Sequence, residues 1–453
     1  MQFPFGKAPL WILITTIAAA LAMLLGRWSG QTATPDLVMA TFSRTHVEFY
    51  EKSIPAFERK HGVKVQLQLV DMRALTSRLQ AAMIAGTGVP DLVEVEKAAM
   101  GYFTKGPLDD IGFVDLTDRL RADGLFEKMV ASRFSLWTSR GRTFAIPHDV
   151  HPVMLAYRRD IVEELGIDVS TLRTWDDFAA MGRRITADVD GDGVVDRYAL
   201  DLPTAATEVL ELLILQRGGA IFDAAGEVAF DSPVVADTIC WYVAQTTGST
   251  RISFPAGWGQ TLSKIMLDGL VVFYFAPDWR TKQFEIDGPG IGGKMALMPL
   301  PSWDEGGRRV STWGGTGLAI TKASKRPDLA WEFAKHIYLD QTQLGDRFLA
   351  TNIISPLEAA WNSPVYDSPN AFYSDQPLGR LYADLAPSTP ASYAAPYLLL
   401  GTSKLGEVLI DAGIYYAKNQ EIGLREFVSV ELKRKADEVR RVSRRNAFLF
   451  PDP

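Results

Sequence analysis

Between residues 37 and 96 the hydrophobic period of the chain switches repeatedly between two and about 3.6, and this alternation limits the possible folds more than any other feature. Three stretches read as strands: "LVMATF" (37–42), "KVQLQLV" (64–70) and "PDLVEVE" (90–96). The gaps between them carry apolar stripes at helical spacing, Tyr50, Ile54 and Phe57 in the first and Leu75, Leu79 and Met83 in the second. The order is therefore β-α-β-α-β, which implies an open α/β sheet of parallel strands. Ligands of such sheets sit at the carboxyl ends of the strands. Here those ends are Ser43 to Thr45, Asp71, and Glu96 to Lys97.

A second block begins after "FAIPHDV", with a strand in "PVMLAY", a short helix in "RDIVEELG", and a capped amphipathic helix in "TWDDFAAMGRRI". "GLVVFYF" (269–275) is a near-continuous apolar strand buried on both faces, and from about 355 onward the chain reads as mostly helical. At 453 residues the chain exceeds what one core usually supports, so two lobes are expected. Net charge is -7, and the one basic run, Arg440, Arg441, Arg444 and Arg445, reads as a solvated helix face. Nucleic acid is excluded as a partner. Cys240 is the sole cysteine, so no intrachain disulfide forms.

Near the N-terminus, Lys7 precedes the uncharged run "APLWILITTIAAALAMLLG", which ends at Arg27. Residues 1–30 are read as a signal peptide or an N-terminal membrane anchor. The rest is then placed in the periplasm or on the outer face of the cytoplasmic membrane. The stretch "DVDGDGVVD" (188–196) begins like a calcium loop, but the twelfth position is Ala199, which cannot supply the closing carboxylate. An Asp/Gly-rich surface turn is the preferred reading, with no metal assigned.

Catalytic motifs are scarce. The sequence holds no HExxH, GxSxG or Walker A pattern, and its five histidines include His148 and His151, which are read as ordinary loop residues. The chain is expected to be no enzyme and to need no cofactor.

Several segments together resemble one family. They are "GTGVPDLVEVE", "MLAYRRDIVEELGID", "RTWDDFAAMGRRIT", "DVDGDGVVDRYAL", "QRGGAIFDAAGEVAFDSP", "MLDGLVVFYFAPDW", "ALMPLP" and "GGTGLAITKASKRPDLAWEFAKHI". In this order they are similar to the extracellular solute-binding proteins of bacterial ATP-binding-cassette importers, in the carbohydrate-binding family 1 related to maltose-binding protein. The resemblance implies a two-lobed, type II periplasmic-binding-protein-like α/β fold with discontinuous lobes joined by hinge crossings. Lobe one is expected over 36–147 and 301–350, and lobe two over 148–300 and 351–453, with crossings near Pro147, Pro301 and Thr351. It further implies a monomer that captures a sugar or oligosaccharide between its lobes and delivers it to the membrane permease subunits by closing. A glycerol phosphodiester ligand paired with Arg44 or Arg280, a carbohydrate-active enzyme and an anchored sensor are the alternatives.

A sugar offers hydroxyls at its rim and an apolar C–H face, so its site needs carboxylates and flat aromatic rings. Trp279 falls where the family's Gly-Pro-Trp segment supplies a stacking ring, here written "APDW". Charged neighbours Asp278 and Arg280 suggest that this ring is exposed. Trp313, Gly314 and Gly315 precede the strand "GLAIT", where glycines would let backbone approach a ligand. Ser43, Arg44 and Glu96 end strands of lobe one, and Asp71 and Trp258 complete the candidate ligand-binding set.

Overall fold

The computed structural model describes residues 11, 13–18 and 34–449. The apolar N-terminal run expected to direct export lies largely outside the described residues, although Trp11 and residues 13–18 are helical. Among the described residues no helix is long and apolar enough to cross a membrane.

The alternating periods near the start fold as the pattern dictates. Strands Leu37–Thr41, Val65–Leu69 and Leu92–Glu96 are joined by helices Arg44–His61 and Met72–Ala85. The first helix starts where Ser43 Oγ accepts a hydrogen bond from the His46 N–H and stops at Gly62, whose φ of 67° few other residues tolerate. Its buried stripe includes Tyr50, Ile54 and Phe57. These strands join Thr316–Ile320 and Ile146–Pro147 in a five-stranded sheet, which defines lobe one. The first three run parallel, while Thr316–Ile320 pairs antiparallel with both Leu92–Glu96 and Ile146–Pro147.

Lobe two is built on a six-stranded sheet. Pro152–Arg158 pairs antiparallel with Val271–Pro277 and Met295–Pro299, and Val271–Pro277 pairs parallel with Tyr198–Asp201. All seven residues of Val271–Pro277 are buried, as a two-sided apolar strand requires. Phe273 and Phe275 face one core while Tyr274 and Ala276 face the other. The closing helices Leu398–Asn419 and Leu424–Ser443 pack their stripes, among them Leu405, Leu409, Val428 and Leu432, into the first of these cores.

Among the described residues, three stretches carry the chain between the parts built around these two sheets. The first is His148 to His151. The second differs from expectation, because the chain does not return to lobe one at Pro301: Ser302 bridges Thr174 and Ser311–Thr312 pairs with Pro152–Arg158, so the segment remains on the lobe-two sheet. The return is made by Trp313, Gly314 and Gly315, directly before Thr316–Ile320. The third passes through Asn352 (φ 58°), beyond the helix Gln341–Thr351.

Candidate functional site: a tryptophan-walled pocket beside a buried polar knot

At the carboxyl edge of the lobe-two sheet, three tryptophans arrive from three segments and meet. Trp258 precedes the helix Gln260–Asp268, Trp279 lies in the first turn of Asp278–Asp287, and Trp313 rides on the return crossing. The Trp258 and Trp279 rings are nearly parallel, with centroids 6.0 Å apart and planes 16° apart. Trp313 stands across both, at 67° to Trp258 and 78° to Trp279. The Trp279 Nε1–H donates to the Trp313 carbonyl at 3.1 Å, which fixes the corner. These rings wall a cavity of about 210 Å3 completed by Asp201, Pro203, Glu208, Gly257 and Arg280.

Arg280 is almost fully buried and heavily bonded. It donates to Asp201 Oδ2 and to the Phe275 carbonyl, both at 2.8 Å, and its guanidinium carbon lies 4.8 Å from the centre of the Trp258 ring. Its buried Nε has no hydrogen-bond partner among the described residues.

Not all the expected site residues reach this pocket. Trp258 (55% exposed), Trp279 and Trp313 do. Asp278 does not, and this corrects the sequence reading: it is fully buried, binding His151 Nδ1 at 2.6 Å and accepting from the N–H groups of Trp279 and Ile354 at 2.7 and 2.9 Å. The charged neighbours that suggested an exposed Trp279 are therefore both interior, while Trp279 itself is half-buried and lines the cavity. Gly314 and Gly315 give their spare room to protein. A Cβ on Gly314 (φ 98°) would lie 3.2 Å from His151 Cδ2, and one on Gly315 would lie 2.7 Å from Leu136 Cδ1 and 2.9 Å from Arg133 Nη2.

Ser43, Arg44, Asp71 and Glu96 are not among the residues lining the cavity. Ser43, Asp71 and Glu96 cap the helices that follow their strands, and Glu96 Oε2 accepts from the Ala98 N–H at 2.7 Å. Burial, with help from the Glu211 and Asp149 carboxylates, pushes Glu96 up to about 7 despite adjacent Lys97. Arg44 is exposed.

Behind the pocket lies a polar knot that sequence reasoning missed. His148 and His151, expected as ordinary loop histidines, are 1% and 5% exposed. Asp149 is bound by His151 Nε2 at 3.0 Å, by Arg133 Nη2 at 3.2 Å and by the Thr316 N–H at 2.9 Å. Arg133 also donates to the Gly314 carbonyl at 3.2 Å and to Thr312 Oγ1 at 3.0 Å. Asp278 reaches the third crossing through Ile354, so all three crossings are tied together here. Burial opposes a charged ring at His151, but the Asp149 and Asp278 carboxylates outweigh it and lift the imidazole to about 9.

Next to the knot, Glu94 is buried among four donors. Tyr50 and Tyr338 donate to Oε1 at 2.6 and 2.7 Å, His46 Nδ1 lies 2.9 Å from Oε2, and Thr41 also donates to Oε2. Burial works against its charge, but His46 and the hydrogen bonds outweigh it and hold the carboxyl well below the usual range. His148, its ring tilted at 35° to that of His46 with centroids 4.1 Å apart, is pushed down to about 3 by burial, His46 and Arg347.

The calcium-like loop stands apart from both regions. Asp188 accepts from the Gly191 and Gly193 N–H groups at 2.7 Å, Asp192 from Val194 at 2.8 Å, and Asp196 from Val189 at 2.9 Å. These carboxylates serve as turn caps, with Asp188, Asp190 and Asp196 oxygens within 4.8 Å of one another. Ala199, at the loop's twelfth position, is buried in strand Tyr198–Asp201.

Comparison with known proteins agrees with this architecture. An arabinooligosaccharide-binding protein of Halalkalibacterium halodurans is 25% identical over 354 residues, covering 75% of each chain. A protein of the same description from Bacillus subtilis is 26% identical over 329 residues, covering 72% of this chain and 73% of its own. Among solved structures, the sugar-binding protein MalE of Xanthomonas citri superposes with a TM-score of 0.68 at 17% identity, over 90% of this chain and 98% of its own, a likeness of fold alone. The sequence profile of bacterial extracellular solute-binding proteins matches residues 43–344, about two-thirds of the chain. The chain belongs to the bacterial extracellular solute-binding protein family.

Proposed function

We propose that the protein captures a saccharide outside the cytoplasm, holds it in the tryptophan-walled pocket, and presents it to the permease of an ATP-binding-cassette importer. The observation that carries this reading is the pocket itself: parallel and perpendicular indole faces suit the C–H faces of a sugar, and the exposed Glu208 carboxylate at its edge suits a hydroxyl. Relatives described as arabinooligosaccharide-binding make pentose oligosaccharides the first ligands to try. Arg280 is committed to Asp201 and to a backbone carbonyl, which removes one of the two cations that a phosphodiester would use.

Closure about the three crossings is the mechanism that fits. A ligand touching both lobes binds the closed form better and shifts the equilibrium toward it. The ligand leaves unchanged, so binding and release are the whole activity. The chain acts as a monomer, with lobe one spanning 36–147 and 316–350 and lobe two holding most of the remainder.

A thermal-shift screen against arabinooligosaccharides, other mono- and oligosaccharides, and glycerol phosphodiesters tests the reading. A saccharide at one hundred times its dissociation constant should stabilise the native state by about 2.7 kcal/mol. No shift with any saccharide, or release of reducing ends in the same samples, contradicts it.

A further inference from the structure

Residues 389–397 link the helix Leu378–Leu385 and its 3-10 extension to Leu398–Asn419, yet they run between the lobes instead of along one of them. Consecutive residues belong to different cores: Ala394 packs with Val93, Val95 and Ala99 of lobe one, and Ala395 packs with the lobe-two core. On the lobe-one side the segment meets helix Lys97–Phe103, which begins directly at the carboxyl end of strand Leu92–Glu96. Contact there is so close that a Cβ on Gly101 would lie 2.5 Å from the Ala395 carbonyl oxygen. Ser135 Oγ of lobe one donates to the Ser392 carbonyl at 2.8 Å.

On the lobe-two side, Ser392 Oγ donates to Glu211 Oε1 at 3.2 Å. The same carboxylate receives the Lys97 ammonium from across the cleft, with both oxygens at 2.9 Å. Both side chains are about nine-tenths buried. Glu211 lies three residues beyond Glu208 on helix Thr207–Gln216, less than one turn, and Glu208 lines the tryptophan pocket. The ion pair, and Ser392 of the bridging segment bonded to it, therefore stand within one helical turn of a residue that lines that pocket. At its other side Trp258 is 55% exposed. A cavity of about 210 Å3 is smaller than the roughly 300–1,000 Å3 usual for larger ligands, and suits about one sugar ring.

We propose that residues 389–397, together with Lys97 and Glu211, form the blind end of the cleft and fix ligand length, so that one ring enters the pocket, a second rests on Trp258, and further units gain no contacts. This inference rests on the saccharide reading above and adds the determinant of chain length.

The test is calorimetric titration of the protein with linear arabinooligosaccharides of one to six units. Affinity should rise by about tenfold or more from one unit to two, then stay within about threefold up to six. Two variants weaken the bridge independently: Ser135→Ala with Ser392→Gly removes its anchors, and Gly101→Ala pushes a methyl group into the Ala395 carbonyl. Either, if folded by its thermal midpoint, should move the plateau to longer chains. Affinity in the unaltered protein that still climbs about tenfold between two and four units overturns the blind end and leaves the saccharide reading standing. A plateau unmoved in both folded variants overturns it as well. No binding of any chain length defeats the saccharide reading and this inference with it.

Discussion

The pocket edge of lobe two and the knot of crossings behind it draw on the same residue types, aromatic rings and charged side chains, but they use them oppositely. In the knot, every charge faces another charge or a backbone donor: His151 sits between Asp149 and Asp278, and Arg133 reaches both the first and the second crossing. At the pocket, three indole rings line a cavity. The difference teaches that buried charge here organises the crossings, while aromatic surface is left partly exposed around a cavity. Strand-end carboxylates, by contrast, are readily taken up as helix caps, as Asp71 and Glu96 are.

The largest effect should come from breaking the buried cluster on the lobe-one side. Glu94→Ala leaves His46, Tyr50, Tyr338 and Thr41 without their shared acceptor, and losing one partner of a buried charged network typically costs about 3–5 kcal/mol. Urea unfolding measures it, and a loss below about 1 kcal/mol would mean that the cluster is not structural.

A smaller effect follows from His151. Its pKa is lifted to about 9 from 6.5, so the folded chain holds this proton more tightly than the unfolded chain. The stability it contributes is complete below about 6.5 and is lost as pH rises through 9. Unfolding midpoints at pH 7 and pH 10 should therefore fall more in the unaltered protein than in His151→Gln. Equal falls would remove the imidazolium from the account.

The smallest effect, none at all, is expected from chelation. The loop at 188–196 caps its own turns and lies in neither region, so EDTA should leave saccharide affinity unchanged. Loss of affinity that calcium restores would bring a metal into the comparison.

Much of the scaffold was legible in the sequence because periodicity is a local property. The strands at 37–41, 65–69 and 92–96 lie within the stretches that alternation marks, and Leu75 and Leu79 are the buried residues of the second helix. "GLVVFYF" announced a two-sided strand, though that strand is shifted to Val271–Pro277. That Trp258, Trp279 and Trp313 gather was also within reach, since each follows or precedes a recognisable element near one sheet edge. What stayed hidden depends on distant pairing. No local signal tells that Asp149 meets Arg133, that Lys97 meets Glu211 over a separation of 114 residues, or that Asp278 turns inward to His151. The crossing misplaced at Pro301 fails for the same reason: only the pairing of Ser311–Thr312 with Pro152–Arg158 keeps that segment on the lobe-two sheet.

The central claim, that the tryptophans around the pocket serve a ligand and those in the cores serve the fold, is tested most directly by one paired substitution read two ways. Trp279 lines the pocket, whereas Trp175 is 1% exposed within the lobe-two core, its Nε1–H donating to Gln216 at 2.9 Å. Trp279→Ala should weaken saccharide binding by about 2 kcal/mol or more with little change in apo stability. Trp175→Ala should instead cost about 3–5 kcal/mol of unfolding free energy through lost burial and a cavity. Calorimetric titration beside urea unfolding separates the two. Unchanged affinity in Trp279→Ala, together with a large drop in its unfolding midpoint, would contradict the account.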